Sequence, residues 1–141
     1  MICPICKTNN TENQKHCINC HWEFIYYLSE PTDNEKKIIQ DKIRTFQRDF
    51  FQKHIISTNK ELHQTILSNL DKGLRDDKEF ILDLVRKKGW ALQYASERLK
   101  NDKEVVSKAV NRTKWAIKFA DKKLKRDRVF LNSIINPRSR F

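Results

Sequence analysis

The sequence LRDDKEFI at residues 74–81 recurs 25 positions later as LKNDKEVV at residues 99–106. A third copy begins at position 124 with LKRDRVFL. Downstream of the first two copies, GWALQYA at residues 89–95 aligns with KWAIKFA at residues 114–120. A fixed internal period of this length indicates stacked supersecondary units. We therefore predict that residues 74–141 hold helical repeats at 74–98 and 99–123 and a partial repeat at 124–137.

Each repeat is predicted to contain two short helices. The candidate N-caps of the first helix are Asp76 or Asp77, and in the next copy Asn101 or Asp102. Gly89 is expected to form the turn to the second helix, and Lys114 replaces it in the next copy. Helices of about ten residues are marginal alone, so stacking must stabilise them. The residues expected to be buried are Phe80, Ile81, Leu84, Val85, Trp90, Ala91 or Leu92, Tyr94 or Ala95, Leu99, Val105, Val106, Ala109 and Val110.

These repeats resemble a bacterial helical-repeat family that is classed as a domain of unknown function. The resemblance rests on DKEVV at residues 102–106 and on GWALQYA at residues 89–95, and it spans about residues 74–136. It implies a helical-repeat fold and brings no known chemistry. The third copy departs from the pattern at Asn136 and Pro137, and we expect it to act as a terminal cap.

Residues 29–73 are predicted to be a linker followed by two connecting helices. Thr32 with Glu35, and Thr58 with Glu61, have the spacing of capping boxes. Gly73 is placed to end the second helix. The apolar residues that follow each box at helical spacing are expected to be core: Ile39, Ile43, Phe46 and Phe50, then Leu62, Ile66 and Leu70. His54 and His63 are expected to be surface histidines.

The predicted fold class is mainly α, with a small zinc-binding module at residues 1–28. The chain has only two glycines and three prolines in 141 residues, too few for the turns of a β-sandwich or barrel. In the N-terminal module, two Cys-x-x-Cys turns place four thiols at the spacing of a closed tetrahedral zinc site. One structural Zn²⁺ is therefore predicted, with the ligands Cys3, Cys6, Cys17 and Cys20.

Other interpretations of these cysteines are a redox pair or four incidental thiols. A redox motif needs a strand–helix context that this N-terminus lacks. His16 and His21 flank the second pair, but four cysteines already complete the coordination shell. The pattern resembles the short zinc-ribbon modules that begin many bacterial proteins, which implies short β-hairpins and a docking role. Those modules usually carry glycine after each cysteine pair, where this chain has Lys7 and His21.

Positive charge is concentrated in the second half of the chain. The net charge is +11, of which residues 74–141 carry +10, with nineteen Lys or Arg against nine Asp or Glu. Cations that recur in the repeats would form parallel rows able to contact phosphates. We predict that these residues bind nucleic acid or an acidic protein partner: Arg75, Lys78, Lys87, Arg98, Lys100, Lys103, Arg112, Lys123, Lys125 and Arg128. Pairing of some of them with Asp83, Glu97 or Asp121 is the competing interpretation.

The sequence favours a non-enzymatic protein. It contains no phosphate-binding glycine loop, metal-hydrolase histidine pair or nucleophile–base combination. No apolar run is long enough to span a membrane, and no small-molecule substrate is expected. A cytoplasmic location is the default for a chain with metal-type cysteine spacing and no signal peptide. Trp90 and Trp115 are candidate base-stacking residues, but their place beside the apolar stripe favours core packing. The alternative function is a protein–protein interaction module that docks on a larger partner.

Overall fold

The computed structural model of the chain describes residues 1–11, 15–17, 31–54 and 60–135, with the backbone alone at His54 and Lys60. The described residues are mainly helical, which confirms the predicted fold class. Their helices are α1 (Asp33–His54), α2 (Lys60–Ser68), α3 (Lys72–Arg75), α4 (Lys78–Lys87), η1 (Gly89–Tyr94), α5 (Glu97–Lys100), α6 (Lys103–Arg112), η2 (Lys114–Phe119), α7 (Lys122–Arg126) and α8 (Arg128–Ile135), where η marks a 3₁₀ helix.

The chain divides into two compact units, Met1–Asp71 and Lys72–Phe141. The first unit contains the N-terminal cysteines, α1 and α2. The second contains the remaining eight described helices. No described helix is both long enough and apolar enough to cross a membrane.

The start of α1 is set by the predicted capping box. The backbone N–H of Thr32 donates to the Glu35 carboxylate at 2.7 Å, and the N–H of Glu35 donates to the Thr32 hydroxyl at 3.3 Å. Two N–H groups at the start of the helix that lack an intrahelical partner are thus satisfied. The bond to Thr32 lowers the pKa of the Glu35 carboxyl. The other box is only partly visible, because Thr58 lies outside the described residues.

The packing of α1 is organised by a polar residue that the apolar pattern did not indicate. Gln47 is fully buried; its amide donates to the carbonyl of Asn69 at 3.0 Å and accepts from the N–H of Asp71 at 2.8 Å. The buried Asp71 carboxylate accepts from Gln40 and from the Arg44 guanidinium, which lies 2.7 Å away. These bonds fasten the chain that follows α2 onto α1. The predicted apolar residues of α1 lie around this cluster and are only half-buried.

Two expectations for this unit are wrong. His63 is buried, not at the surface, because its ring packs edge-on against Phe50 and Phe51. Gly73 does not end α2; that helix ends at Ser68, and Gly73 lies inside the short helix α3. His54 has no described side chain, so its predicted position lies outside the described residues.

The second unit contains the same order of elements twice, an α-helix, a 3₁₀ helix and a short α-helix. The first series is α4, η1 and α5, and the second is α6, η2 and α7, with each element starting 25 residues after its counterpart. Asp77 and Asp102 are the N-caps of α4 and α6, as predicted. The predicted single second helix is wrong. It is interrupted after Tyr94, and Ser96 caps a new helix, because its hydroxyl accepts from the N–H of Leu99.

The core of the second unit lies between the two series. The predicted apolar residues of α4 and α6 are buried, as are Ala91, Leu92, Ala95 and Leu99. Gly89 allows η1 to approach the end of α6 closely. A Cβ atom there would lie 2.4 Å from the carbonyl oxygen of Ala109 and 2.7 Å from the Thr113 side chain. No described glycine has a positive φ, so Gly89 is needed for space rather than for turn geometry.

Candidate metal centre and basic surface

Three of the four predicted metal ligands come together in the first unit. The sulfur atoms of Cys3, Cys6 and Cys17 all lie within 4.8 Å of one another, and the three residues are buried. The Cys6 and Cys17 sulfurs are 3.5 Å apart, close to the roughly 3.8 Å edge of a zinc–thiolate tetrahedron with 2.3 Å bonds. The cluster can therefore hold a thiophilic metal ion. Cys20 lies outside the described residues.

The turn that carries Cys3 and Cys6 is closed by the backbone. The N–H of Lys7 donates to the carbonyl of Cys3 at 3.0 Å, and the N–H of Cys3 donates to the carbonyl of Thr8 at 2.9 Å. Lys7 has φ 58°, the left-handed conformation that glycine adopts without strain. Lys7 therefore holds a backbone conformation that glycine would adopt at lower energetic cost.

Two polar side chains that the spacing did not indicate lie beside the thiols. The Thr8 hydroxyl oxygen is 3.1 Å from the Cys6 sulfur, and the Asn10 amide donates to the Cys17 sulfur at 3.7 Å. Donors of this kind stabilise thiolates and orient metal ligands. Ile2 and Asn9 form one antiparallel bridge. The β-hairpins of a ribbon are otherwise untested, because most of the remaining module lies outside the described residues.

Several cations of the predicted binding set instead join one helical series to the next. Lys78 Nζ lies 2.9 Å from a carboxylate oxygen of Asp102 and 2.9 Å from one of Glu104. One series later, Lys103 Nζ lies 2.9 Å from Asp127. Phosphates would have to compete with these carboxylates for the two lysines.

A second contact, within the first series, joins α5 to Asp76 just before α4. The Arg98 guanidinium donates to its carboxylate at 3.0 Å and to its backbone carbonyl at 2.7 Å. The Ser96 hydroxyl also donates to this carboxylate. The bond from Arg98, with that from Ser96, lowers the pKa of the Asp76 carboxyl. Pairing with Asp76 raises the pKa of Arg98 in turn.

The carboxylates of the helix caps are held in their charged form. Burial by itself would raise the pKa of Asp102, but bonds from Lys78 and from the first-turn N–H groups of α6 lower it overall. The N–H of Phe130, followed by Lys103, lowers the pKa of Asp127. The bonds to Asp102 and Glu104 raise the pKa of Lys78. These aspartates are structural caps and ion-pair partners.

The seven remaining residues of the predicted set divide into three groups. Lys100 pairs with Glu97 at 2.9 Å, Arg112 donates to the carbonyl of Lys87, and Lys125 donates to the carbonyl of Lys118. Among the described residues, the side chains of Lys87, Lys123 and Arg128 have no ion-pair partner. Arg75 is half-buried and makes other contacts. The predicted set therefore contains cations that are paired within the chain and cations whose charged groups are available to a ligand.

An exposed aromatic residue lies on η2. Trp115 is 51% exposed, so the expectation of core packing is wrong for this residue, whereas Trp90 is half-buried. Lys118 Nζ lies 4.6 Å from the centre of the Trp115 ring and 5.0 Å from that of Phe119. The two rings pack edge-on, 5.8 Å apart. The Lys118 ammonium thus lies over the Trp115 ring, while half of the tryptophan surface stays exposed to solvent.

The charge around Trp115 is strongly positive. Residues 105–135 contain nine Lys or Arg and two Asp. Both aspartates are used inside the chain, because Asp121 caps α7 and Asp127 caps α8 and pairs with Lys103. We call η2 and α7 with their exposed cations the Trp115 surface: Lys114, Lys118, Lys122, Lys123, Lys125 and Arg126.

Comparison with known proteins identifies one family. No curated protein matches this chain, and no solved structure matches it. Residues 77–125 match a family model described as a domain of unknown function, DUF4116. That span runs from the N-cap of α4 into α7. The comparison leaves the zinc ribbon and the 25-residue repeat family as predictions. Residues 77–125 are thus similar to the DUF4116 domain, a family with no assigned function.

Proposed function

We propose that this chain is a non-enzymatic adaptor with two parts. One structural Zn²⁺ organises an N-terminal zinc ribbon, and the basic face of the C-terminal helical repeats binds nucleic acid. Single-stranded nucleic acid is the preferred ligand, because its unpaired bases can stack on an exposed aromatic ring while its phosphates contact cations. The observation that carries the proposal is the half-exposed Trp115 ring beside Lys118, in a surface whose nearby aspartates are already used.

The zinc assignment is supported by the chemistry of the ligands. Three buried thiols within 4.8 Å of one another, with Cys20 as the fourth, make an all-sulfur set that suits Zn²⁺. Four thiolates leave no open coordination position, so the role is structural. Elemental analysis of purified protein should find one zinc per chain. Cys17→Ser should lose it, whereas His16→Ala, an exposed neighbour, should retain it. Full retention of zinc by Cys17→Ser would refute the site.

Nucleic-acid binding by the basic face does not require all ten predicted cations. Lys78, Lys103 and Arg98 are engaged by carboxylates of the chain, so their contribution to phosphate binding is reduced. The Trp115 surface provides cations with fewer internal acidic partners. Surface charge of one sign attracts a polyanion from a distance and keeps it close while bases find the aromatic ring.

The decisive experiment measures binding of a labelled single-stranded oligonucleotide by fluorescence anisotropy as salt is raised. Log affinity should fall linearly with log salt, by roughly 0.7 per phosphate contacted. Lys118→Glu/Lys122→Glu should weaken binding and reduce that slope. The matched control is Lys37→Glu/Lys42→Glu on α1, which makes the same charge change at two exposed lysines of the other unit. Equal loss in the two double variants would refute the assignment to this surface.

A separate variant tests base stacking. Trp115→Ala should weaken binding by about 1–3 kcal/mol, the usual value of one base stacked on an aromatic side chain. Trp115→Phe should recover much of the loss, because it restores an aromatic face without the indole N–H. An unchanged affinity for Trp115→Ala would show that phosphate contacts alone hold the ligand.

The alternative is a protein–protein interaction module. It is favoured by the apolar residues that α8 exposes, because Val129 is 81% exposed and Ile135 is 67% exposed. An acidic partner would also be attracted by the surrounding cations. A protein recovered with the chain after nuclease treatment, together with no binding to DNA or RNA, would favour this function over the first.

A further inference from the structure

An open crevice lies in the second unit, between α6 and η2 on one side and α8 on the other. Its volume is about 400 Å³. Val110, Ile117, Leu131, Ile134 and Ile135 form its apolar lining. Asn111 and Lys114 are its two polar lining residues.

The preceding interface, built from equivalent positions, is closed. Leu92, Val106 and Ala109 lie 25 residues before Ile117, Leu131 and Ile134 and are fully buried. In the crevice, Ile117, Leu131 and Ile134 are only half-buried, and Ile135 is 67% exposed. The interface of α6 with α4 and η1 is therefore closed, whereas the equivalent interface of α8 with α6 and η2 is open.

Two differences in side-chain size accompany this difference in packing. Gly89 lets the closed interface form, because a Cβ atom there would lie 2.4 Å from the Ala109 carbonyl oxygen. The equivalent residue is Lys114, which carries a Cβ atom and a long side chain. Ile134 also replaces the smaller Ala109. Lys114 and Ile134, the two larger residues, both line the crevice.

The walls and the polar residues define the ligand chemistry. Crevices of about 300–1,000 Å³ with mainly apolar walls and a few polar groups are typical of small-molecule sites. Lys114 has no ion-pair or hydrogen-bond partner among the described residues, so its ammonium group is available. The excess of cations around η2 and α7 adds to the attraction for an anion.

We infer that this crevice binds a monomeric aliphatic carboxylate. The hydrocarbon chain lies between Ile117 and the apolar side chains of α8, and the carboxylate pairs with the Lys114 ammonium, with the Asn111 amide as a second donor. The occupant is a free small molecule. The crevice shares Lys114 with the Trp115 surface but does not use the Trp115 ring, so small-molecule binding can be tested without nucleic acid.

Isothermal titration calorimetry of the zinc-loaded full chain tests the inference. The probe is dodecanoate, kept below its micelle concentration. It should bind with one site per chain. Dodecyltrimethylammonium has the same tail with a positive head, and butanoate has the same head with a short tail. Both should bind at least about tenfold more weakly, because each lacks one of the two interactions.

Variants separate the crevice from general attraction to a basic surface. Lys114→Met should weaken dodecanoate binding by roughly 5–10-fold, the effect of one partly exposed charge-assisted bond. Lys108→Met is the control, since it removes an exposed lysine of α6 outside the crevice, and it should change affinity by less than about twofold. Ile134→Trp should fill the crevice and abolish binding, with the fold checked by circular dichroism.

Three results would overturn the inference. One is an absence of one-site dodecanoate binding to the full chain. Another is equal weakening by Lys114→Met and Lys108→Met, which would indicate diffuse attraction. The third is unchanged affinity in a folded Ile134→Trp protein. Lys114→Met alters an exposed side chain and should fold normally, so the test does not depend on the filling variant.

Discussion

Replacing Gly89 with alanine tests the close packing of η1 against the end of α6. The added methyl carbon would lie 2.4 Å from the backbone carbonyl oxygen of Ala109. It would also lie 2.7 Å from both the Cβ and the hydroxyl oxygen of Thr113. Carbon and oxygen atoms normally pack about 3.4 Å apart or more. The Thr113 side chain can rotate, but the carbonyl cannot, because it accepts the N–H of Thr113 at 2.8 Å.

The expected cost follows from this distance. Relieving the clash requires η1 and the end of α6 to separate by about 1 Å, which disturbs fully buried contacts on both sides. Overpacking of this kind costs about 1–3 kcal/mol. We expect a loss near the upper end, about 2–3 kcal/mol in the free energy of unfolding. For a domain of fewer than 100 residues, that lowers the Tm by roughly 10–20 °C.

Thermal and urea denaturation followed by circular dichroism at 222 nm would measure the change. Gly73→Ala is the matched control, because Gly73 lies in helix α3, is exposed and does not have a positive φ. It should be neutral or should stabilise by up to about 1 kcal/mol. A Gly89→Ala protein within about 0.5 kcal/mol of wild type would mean that α6 does not approach η1 this closely in solution.

Three further predictions concern the first unit and the pH dependence of the second. Lys7→Gly should stabilise the zinc-loaded chain by up to about 1 kcal/mol in urea denaturation, because φ 58° is strained for lysine. A loss of zinc affinity in this variant would contradict the prediction. Gln47→Met should cost about 1–3 kcal/mol in urea denaturation, because it leaves the buried N–H of Asp71 without its acceptor, whereas exposed Gln52→Met should be neutral. The pKa of the Asp127 carboxyl is lowered in the folded chain, mainly by the N–H group of Phe130 in α8. The ionised carboxylate therefore stabilises the fold above the unfolded pKa of 3.8, and this stabilisation is lost as pH falls through the folded pKa. Asp127→Asn should therefore reduce the loss of stability with falling pH below about pH 4. The same loss of stability in Asp127→Asn and wild type would refute this role of Asp127.

Local sequence signals determined the elements whose causes lie within a few residues. The Thr32–Glu35 capping box, the N-caps Asp77 and Asp102, and the convergence of Cys3 with Cys6 could all be predicted. In each case the interacting groups are separated by five residues or fewer, so spacing alone brings them together.

Features that depend on distant contacts could not be predicted from the pattern. Gln47 is not part of the predicted apolar stripe of α1, yet it is buried, and it satisfies backbone groups 22 and 24 residues away. His63 is buried by aromatic rings of α1. Trp90 and Trp115 occupy equivalent sequence positions, but only Trp115 has half of its surface exposed.

By itself, the sequence determined the helical class, the helix N-caps and the close approach of Cys3 and Cys6. Periodicity and short spacings are sufficient for these features because they act between residues only a few positions apart. Only the tertiary structure decided which cations are bound to carboxylates of a neighbouring helix and which remain available. It also decided that one interface closes at Gly89 while the equivalent one at Lys114 stays open. Both outcomes depend on how closely two helices approach, and that distance is set by the side chains of both partners together.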